Sequence, residues 1–230
     1  MTTISDMKRL AEPLLERNPD LFMARRLLVL KPVHHILRAI DLEQTLDPQG
    51  FTPQFGATYL FVPRTSGGIR WDVLIRATDD ESWVMTNPNV QQMLTQEVEK
   101  VLPILRSIQT IDDFMTFTHA PYTFFEPWDA GVERSLVFNA ALGNLEEARE
   151  CCARLKELAS TRSAGPTDDR PIVPEALCPL LAKDDRAGIA RQLTEWEQIS
   201  ARTFKIEKYW QPSPFPIEAQ APEIDPTAGA

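Results

Sequence analysis

ARRLLVLKPVHHILRAIDLEQTLDPQGFTPQFGATYLFVPRTSGGIRWDVLI, residues 24–75, is the only long part of the chain with strand chemistry. Its last seven residues decide the reading. Ile69, Trp71, Val73 and Ile75 alternate with Arg70, Asp72 and Leu74, the period-two pattern of a strand with two unlike faces. Just upstream, Ala57, Tyr59 and Phe61 alternate with Thr58, Leu60 and Val62 until Pro63 stops the run. Ser66, Gly67 and Gly68 supply the hairpin connection between the two.

Working back from there, Asp47-Pro48-Gln49-Gly50 is a turn: Asp bonds the local backbone, Pro presets φ, and Gly admits a positive φ. Residues 33–45 then read as a strand with Ile36, Arg38, Ile40 and Leu42 on one face and His35, Leu37, Ala39 and Asp41 on the other. Residues 27–30, LLVL, suit a strand buried on both sides and closed by Pro32. An antiparallel meander of about four strands follows.

Helices flank it. Residues 4–16 carry Met7, Leu10, Leu14 and Leu15 at helical spacing behind Ser5 as N-cap, with Pro13 expected to kink the helix or delay its start. Asn87 and Pro88 read as the cap and first-turn proline of a helix whose stripe, Val90, Met93, Leu94, Val98, Leu102 and Leu105, is long enough to cover one sheet face. Pro103 is expected to bend its end, and Thr110 caps IDDFMTFT. The fold class is α+β: the meander packed on helices, followed by a C-terminal helical-hairpin region.

The aromatic and proline-rich run at 119–131 reads as a connector. Beyond it, helices over 131–142 and 145–159 meet at Gly143 and Asn144, the second burying Leu145, Ala148, Cys152 and Leu155. The phrase ALGNLEEA is similar to the turn of a tetratricopeptide repeat, a resemblance that covers one hairpin. LGNLEEA at 142–148 is echoed by LAKDDRA at 181–187, which opens a helix over 186–205 with Ile189, Leu193 and Trp196 inward. Two copies fall short of a solenoid. Residues 161–175 between them read as an exposed loop, and the tail YWQPSPFPIEAQ as an extended segment anchored by Tyr209, Trp210 and Phe215, free from about residue 219. This gives an α+β domain at 1–125, helical hairpins packed on it at 126–210, and a Pro-rich tail at 211–230. The order of helix, meander, amphipathic helix and IDDF segment resembles small bacterial proteins built on domains of unknown function, which implies a fold class only.

Composition narrows the function. The 230 residues carry a formal net charge of −9, which disfavours nucleic acid and anionic membranes, partners held by Lys and Arg. A basic or neutral partner protein suits the charge better. With no apolar segment of spanning length and an N-terminus without an apolar core, the expected location is the cytoplasm. Three cysteines without a CxxC spacing argue against both a disulfide framework and a thiolate zinc site, and Cys151-Cys152 reads as a small apolar contact on a helix.

Motifs for chemistry are scarce. His34 and His35 point to opposite faces of a strand and lack the HExxH spacing. No GxSxG, GxGxxG or GxxxxGK[ST] occurs, and the acid pairs at 79–80, 112–113, 168–169 and 184–185 stand where turns and helix starts want Asp. Strand-interior arginines are the better lead. Arg38 and Arg70, with His35, are candidate ligand-binding residues for a carboxylate or phosphate, unless they pair with Asp41 and Asp72. Trp210 and Phe215 are candidate partner-binding residues. No catalytic residue, metal site or cofactor is expected, and the oligomeric state is open. The expected function is a non-catalytic interaction or binding protein, for instance an acidic neutralising partner of the toxin-immunity kind. The alternative is an enzyme with a pocket between the sheet and the helical region, using His35, Arg38 and Arg70 on an anionic small molecule.

Overall fold

The computed structural model describes residues 2–64, 68–69, 71–77, 82–119, 130–161 and 172–219, among which the chain forms five strands and eight helices. It divides into two compact units, Met1–Glu126 with Gln198–Pro212, and Pro127–Glu197 with Ser213–Ala230. Arg70, the connections at 65–67 and 78–81, the aromatic run at 120–129, the loop at 162–171 and the tail after residue 219 lie outside the described residues.

The first unit opens with α1 (Ile4–Arg17). Its cap is Thr3, not Ser5. The Thr3 hydroxyl accepts the Asp6 N–H at 3.1 Å while the Asp6 carboxylate accepts the Thr3 N–H at 3.0 Å, a reciprocal capping box that Ser5 could not close. The helix continues through Pro13 and buries Met7, Leu10, Ala11 and Leu14.

Five strands follow in one antiparallel sheet whose spatial order is the chain order: β1 (Leu21–Ala24), β2 (Leu27–Leu30), β3 (Ile36–Gln44), β4 (Phe51–Tyr59) and β5 (Trp71–Leu74). The meander therefore has one strand more than four. The extra one is LFMA, joined to β2 by Arg25 and Arg26, with Arg25 held at a φ of 56°. β4 lies earlier than the expected 57–62, because its ladder with β3 runs from Gln44↔Phe51 to Ile36↔Tyr59 and stops there. The Asp47 turn forms as expected: its carboxylate accepts the Gln49 N–H at 2.9 Å and its carbonyl the Gly50 N–H at 3.0 Å.

α2 (Val90–Ser107) starts two residues beyond the expected cap. Asn89 holds the cap position, and Asn87 instead closes a local turn by accepting the Asn89 N–H at 2.9 Å. The helix runs past Pro103 to Ser107. α3 (Ile111–Thr118) has the expected Thr110 cap, completed into a capping box by Asp113.

Strand register assigns every side chain to a face, since residues directly opposite each other share one. The back face carries Leu28, Leu30, Ile36, Arg38, Ile40, Leu42, Phe51, Phe55, Ala57 and Tyr59, all buried; α1 and α2 pack on the sheet, and Phe114 of α3 meets the Tyr59 ring edge-on at 6.0 Å. The front face is divided. Phe22, Ala24, Leu27, Val29, Leu37 and Ala39 form a core with Ala201, Phe204, Ile206, Tyr209 and Trp210, the segment by which the chain returns to this unit. Tyr209 stacks on Phe22 at 3.7 Å. The other half of the same face bears Asp41, Glu43, Thr52, Gln54, Asp72 and Leu74, none of them fully buried, and Leu74 is 55% exposed.

In the second unit α4 (Ala130–Leu142) ends at Gly143, whose φ of 83° is the left-handed conformation that glycine adopts without strain. α5 (Leu145–Thr161) follows. α6 (Ile172–Ala182) begins inside the segment expected to be a loop through residue 175, with Val173, Leu177 and Leu181 buried. α7 (Arg186–Phe204) buries Ile189, Leu193 and Trp196 as its spacing requires, and its last turns, from Gln198, belong to the first unit. The tail is not extended throughout: Pro216 opens the short α8 (Pro216–Ala219), where a missing N–H costs nothing, and the Glu218 carboxylate accepts the Phe215 N–H at 2.7 Å. The cysteine expectation is also overturned. Cys152 of α5 and Cys178 of α6 form a disulfide, because helix pairing sets their Cα atoms 5.9 Å apart. Among the described residues, no helix is long and apolar enough to cross a membrane.

Candidate binding cleft on the sheet

The front face owes its division to the chemistry of β3. Leu37 and Ala39 are apolar and accept the returning segment, but the next two residues of the same parity are Asp41 and Glu43, and a carboxylate cannot be covered by Phe204 without a partner. The cover therefore stops. At its margin lies a cleft of about 340 Å³ lined by Ile4, Ala24, Leu27, Asp41, Glu43 and Phe204, with Arg25, Arg26, Gln44 and Thr203 completing the wall.

Arg26 is a cation of the same wall that acts on Asp41, yet its donors are committed elsewhere. One Nη donates to the Leu42 carbonyl at 3.3 Å, and the other to the Thr2 carbonyl and to Gln44 Oε1. Glu43 accepts a hydrogen bond of 2.9 Å from Gln54 across the ladder. Among the described residues, nothing donates to the Asp41 carboxyl or pairs with it. Burial pushes its pKa up to about 6, with further pressure from the Glu43 and Asp72 carboxylates and only partial relief from Arg26. Asp72 is raised in the same direction, first by burial and then by Glu43.

The sequence-derived candidates are distributed elsewhere. Arg38 is 5% exposed on the closed back face, donates to the Pro32 carbonyl at 2.6 Å, and has its pKa lowered by burial, with Asp20 partly offsetting the loss. Asp20 is itself clamped by Arg106, whose Nε and Nη2 donate to its two oxygens at 2.9 Å each. His35 lies edge-on to Phe61 with ring centroids 6.4 Å apart. His35 and Arg38 do not line the cleft. Trp210 pairs with Val33 through an isolated bridge, and Phe215 is 1% exposed. His34 donates through Nδ1 to the Gln211 carbonyl at 2.8 Å. Among the described residues, no group of three or more His, Cys, Asp or Glu is arranged to hold a metal ion. A second cleft of about 310 Å³ lies between α1 and α2, lined by Pro13, Thr95 and glutamines, with Arg17 paired to Glu99 at 3.2 Å.

Sequence reasoning missed the cleft because it weighed Asp41 as an acid-base partner of His35 or as the ion-pair partner of Arg38. A separation of three in a strand puts Arg38 and Asp41 on opposite faces, so that pairing was closed to them. No family model matches the chain, and no curated protein or solved structure shows significant similarity to it.

Proposed function

We propose that the protein is a cytoplasmic, non-catalytic interaction protein whose partner is a basic protein, an arrangement of the kind found in toxin-immunity pairs. The observation that carries this reading is the partly exposed half of the front sheet face. It combines three carboxylates, Asp41, Glu43 and Asp72, with an exposed Leu74 and a cleft to which Ile4, Ala24, Leu27 and Phe204 give an apolar part. Apolar surface edged by carboxylates, with Arg25 and Arg26 on one wall of the cleft, is the composition of a docking patch rather than of an inert surface. The net charge of −9 favours a cationic partner and speeds its approach.

The enzyme reading draws on a different observation: a carboxyl that titrates near pH 6 in a cleft is suited to general acid-base work. It would rest on Asp41, since His35 and Arg38 do not line that cleft. The interaction reading uses more of the face and is preferred.

The test is affinity capture from the native cell with the tagged full-length chain, run beside the variants Leu74→Asp and Asp41→Lys. The reading predicts one stoichiometric basic partner that both variants lose. Recovery of no specific partner, or of one retained equally by both variants, would overturn it.

A further inference from the structure

The disulfide of the second unit is where a different kind of control enters. Cys152 lies in the second turn of α5 and Cys178 in the C-terminal half of α6, and both residues are half-exposed, within reach of small thiols. Apart from the disulfide, α6 is held by packing on α4 and α5. It has 11 residues, too few for an isolated helix to persist in water, and carries Pro179 within it. Its buried anchors are Val173, Leu177 and Leu181. Among the described residues, Arg149 of α5 secures its C-terminal end, through the Leu181 carbonyl at 3.0 Å and the Asp184 carboxylate at 3.1 Å. The disulfide reaches one turn further back, between the buried Leu177 and Leu181.

We propose that Cys152 and Cys178 form a redox-operated staple that fixes the middle of α6 on α5 when oxidised and releases it when reduced. Two equivalents of a small thiol such as glutathione open it. The first, as thiolate, attacks one cysteine sulfur, forming a mixed disulfide and expelling the other cysteine as a thiolate that takes up a proton. The second thiol displaces the bound one, so the protein gains two electrons and two protons and the thiol leaves as its own disulfide. Cys151, next in sequence, stays out of the exchange. It is free and half-exposed, Asn139 of α4 hydrogen-bonds it, and burial together with the Glu150 carboxylate raises its pKa, so little of it is thiolate at neutral pH. The staple does not depend on the interaction reading of the sheet face.

The full chain is equilibrated in oxidised and reduced glutathione buffers, alkylated, and weighed intact, and hydrogen exchange is followed in parallel. The expected result is one alkylated cysteine of the three in the oxidised buffer and three in the reduced one. Protection of the amides of Ala176, Leu177 and Cys178 falls at least tenfold on reduction, while Leu193 and Trp196 of α7 change less than twofold. Cys152→Ser shows the reduced exchange pattern in both buffers, and Cys151→Ser switches like the native chain. Three alkylated cysteines in the oxidised buffer, or equal protection of α6 in both, would overturn the proposal.

Discussion

The two faces of one sheet handle charge in opposite ways, and β3 carries both cases three residues apart. Arg38 is enclosed on the back face, spends a donor on the Pro32 carbonyl, and lies near a carboxylate that the Arg106 fork already holds. Asp41 on the front face is half-buried beside two more acids, and Arg26, which relieves it only in part, is committed to carbonyl and amide oxygens. A buried charge with a hydrogen-bonded place in the fold serves the structure. One kept at a cost, without a partner, at the edge of a cleft is better explained by what binds there.

Substitutions separate the two cases. Arg38→Ala removes a packed side chain and strands the Pro32 carbonyl, so it should lose about 3 kcal/mol of unfolding free energy in urea titrations. A loss below about 1 kcal/mol would place Arg38 with Asp41 as a dispensable charge.

Asp41→Asn should act with the reverse sign. The folded pKa of about 6 lies above the ordinary 3.8, so the native state binds more protons than the unfolded state between those values. Stability is therefore fully present below pH 4 and is lost as pH rises through 6. The neutral variant escapes that loss and should be more stable than the native chain by about 2 kcal/mol at pH 7, with no difference at pH 4. Equal stabilities at pH 7 would mean that Asp41 has a partner after all.

Asp20 provides the smallest effect. Its pKa is lowered, first by the Arg106 hydrogen bonds, so its contribution is present at neutral pH and disappears as pH falls through its folded value. The pair is partly exposed, with side chains 41% and 35% accessible, and Asp20→Asn should cost only about 0.5 kcal/mol at pH 7. Thermal melts at pH 7 and pH 2.5 check both the size and the disappearance.

Much of the fold is legible in the residues, and the exceptions have physical reasons. The stripes of α2 and α7 and the turn at Asp47 follow from spacing and turn chemistry alone. β1 was hidden because its hairpin turns on Arg25, a left-handed residue without the Asn-Gly or Gly signal that marks such turns. β4 was placed late because the alternation of 57–62 continues past the last paired residue, and only the ladder to β3 shows where pairing ends. The cleft was less legible still. Parity separates Asp41 from Arg38, but bringing Asp72 to the same face needs the register Ala39↔Gly56↔Asp72. The wall formed by Thr203 and Phe204 comes from a return of the chain more than 150 residues later, which no local signal announces.

The central claim, that Asp41 is an unpartnered carboxyl held ready in a cleft, is tested most directly by following its side-chain carboxyl carbon by NMR in a pH titration of the native chain. A midpoint near pH 6, lowered only in part in a variant with Glu43→Gln and Asp72→Asn together because burial is the larger cause, is the result expected from burial among like charges. A midpoint near 4 in the native chain would contradict it, placing Asp41 in ordinary contact with solvent or a cation and leaving the front face without a distinguishing feature.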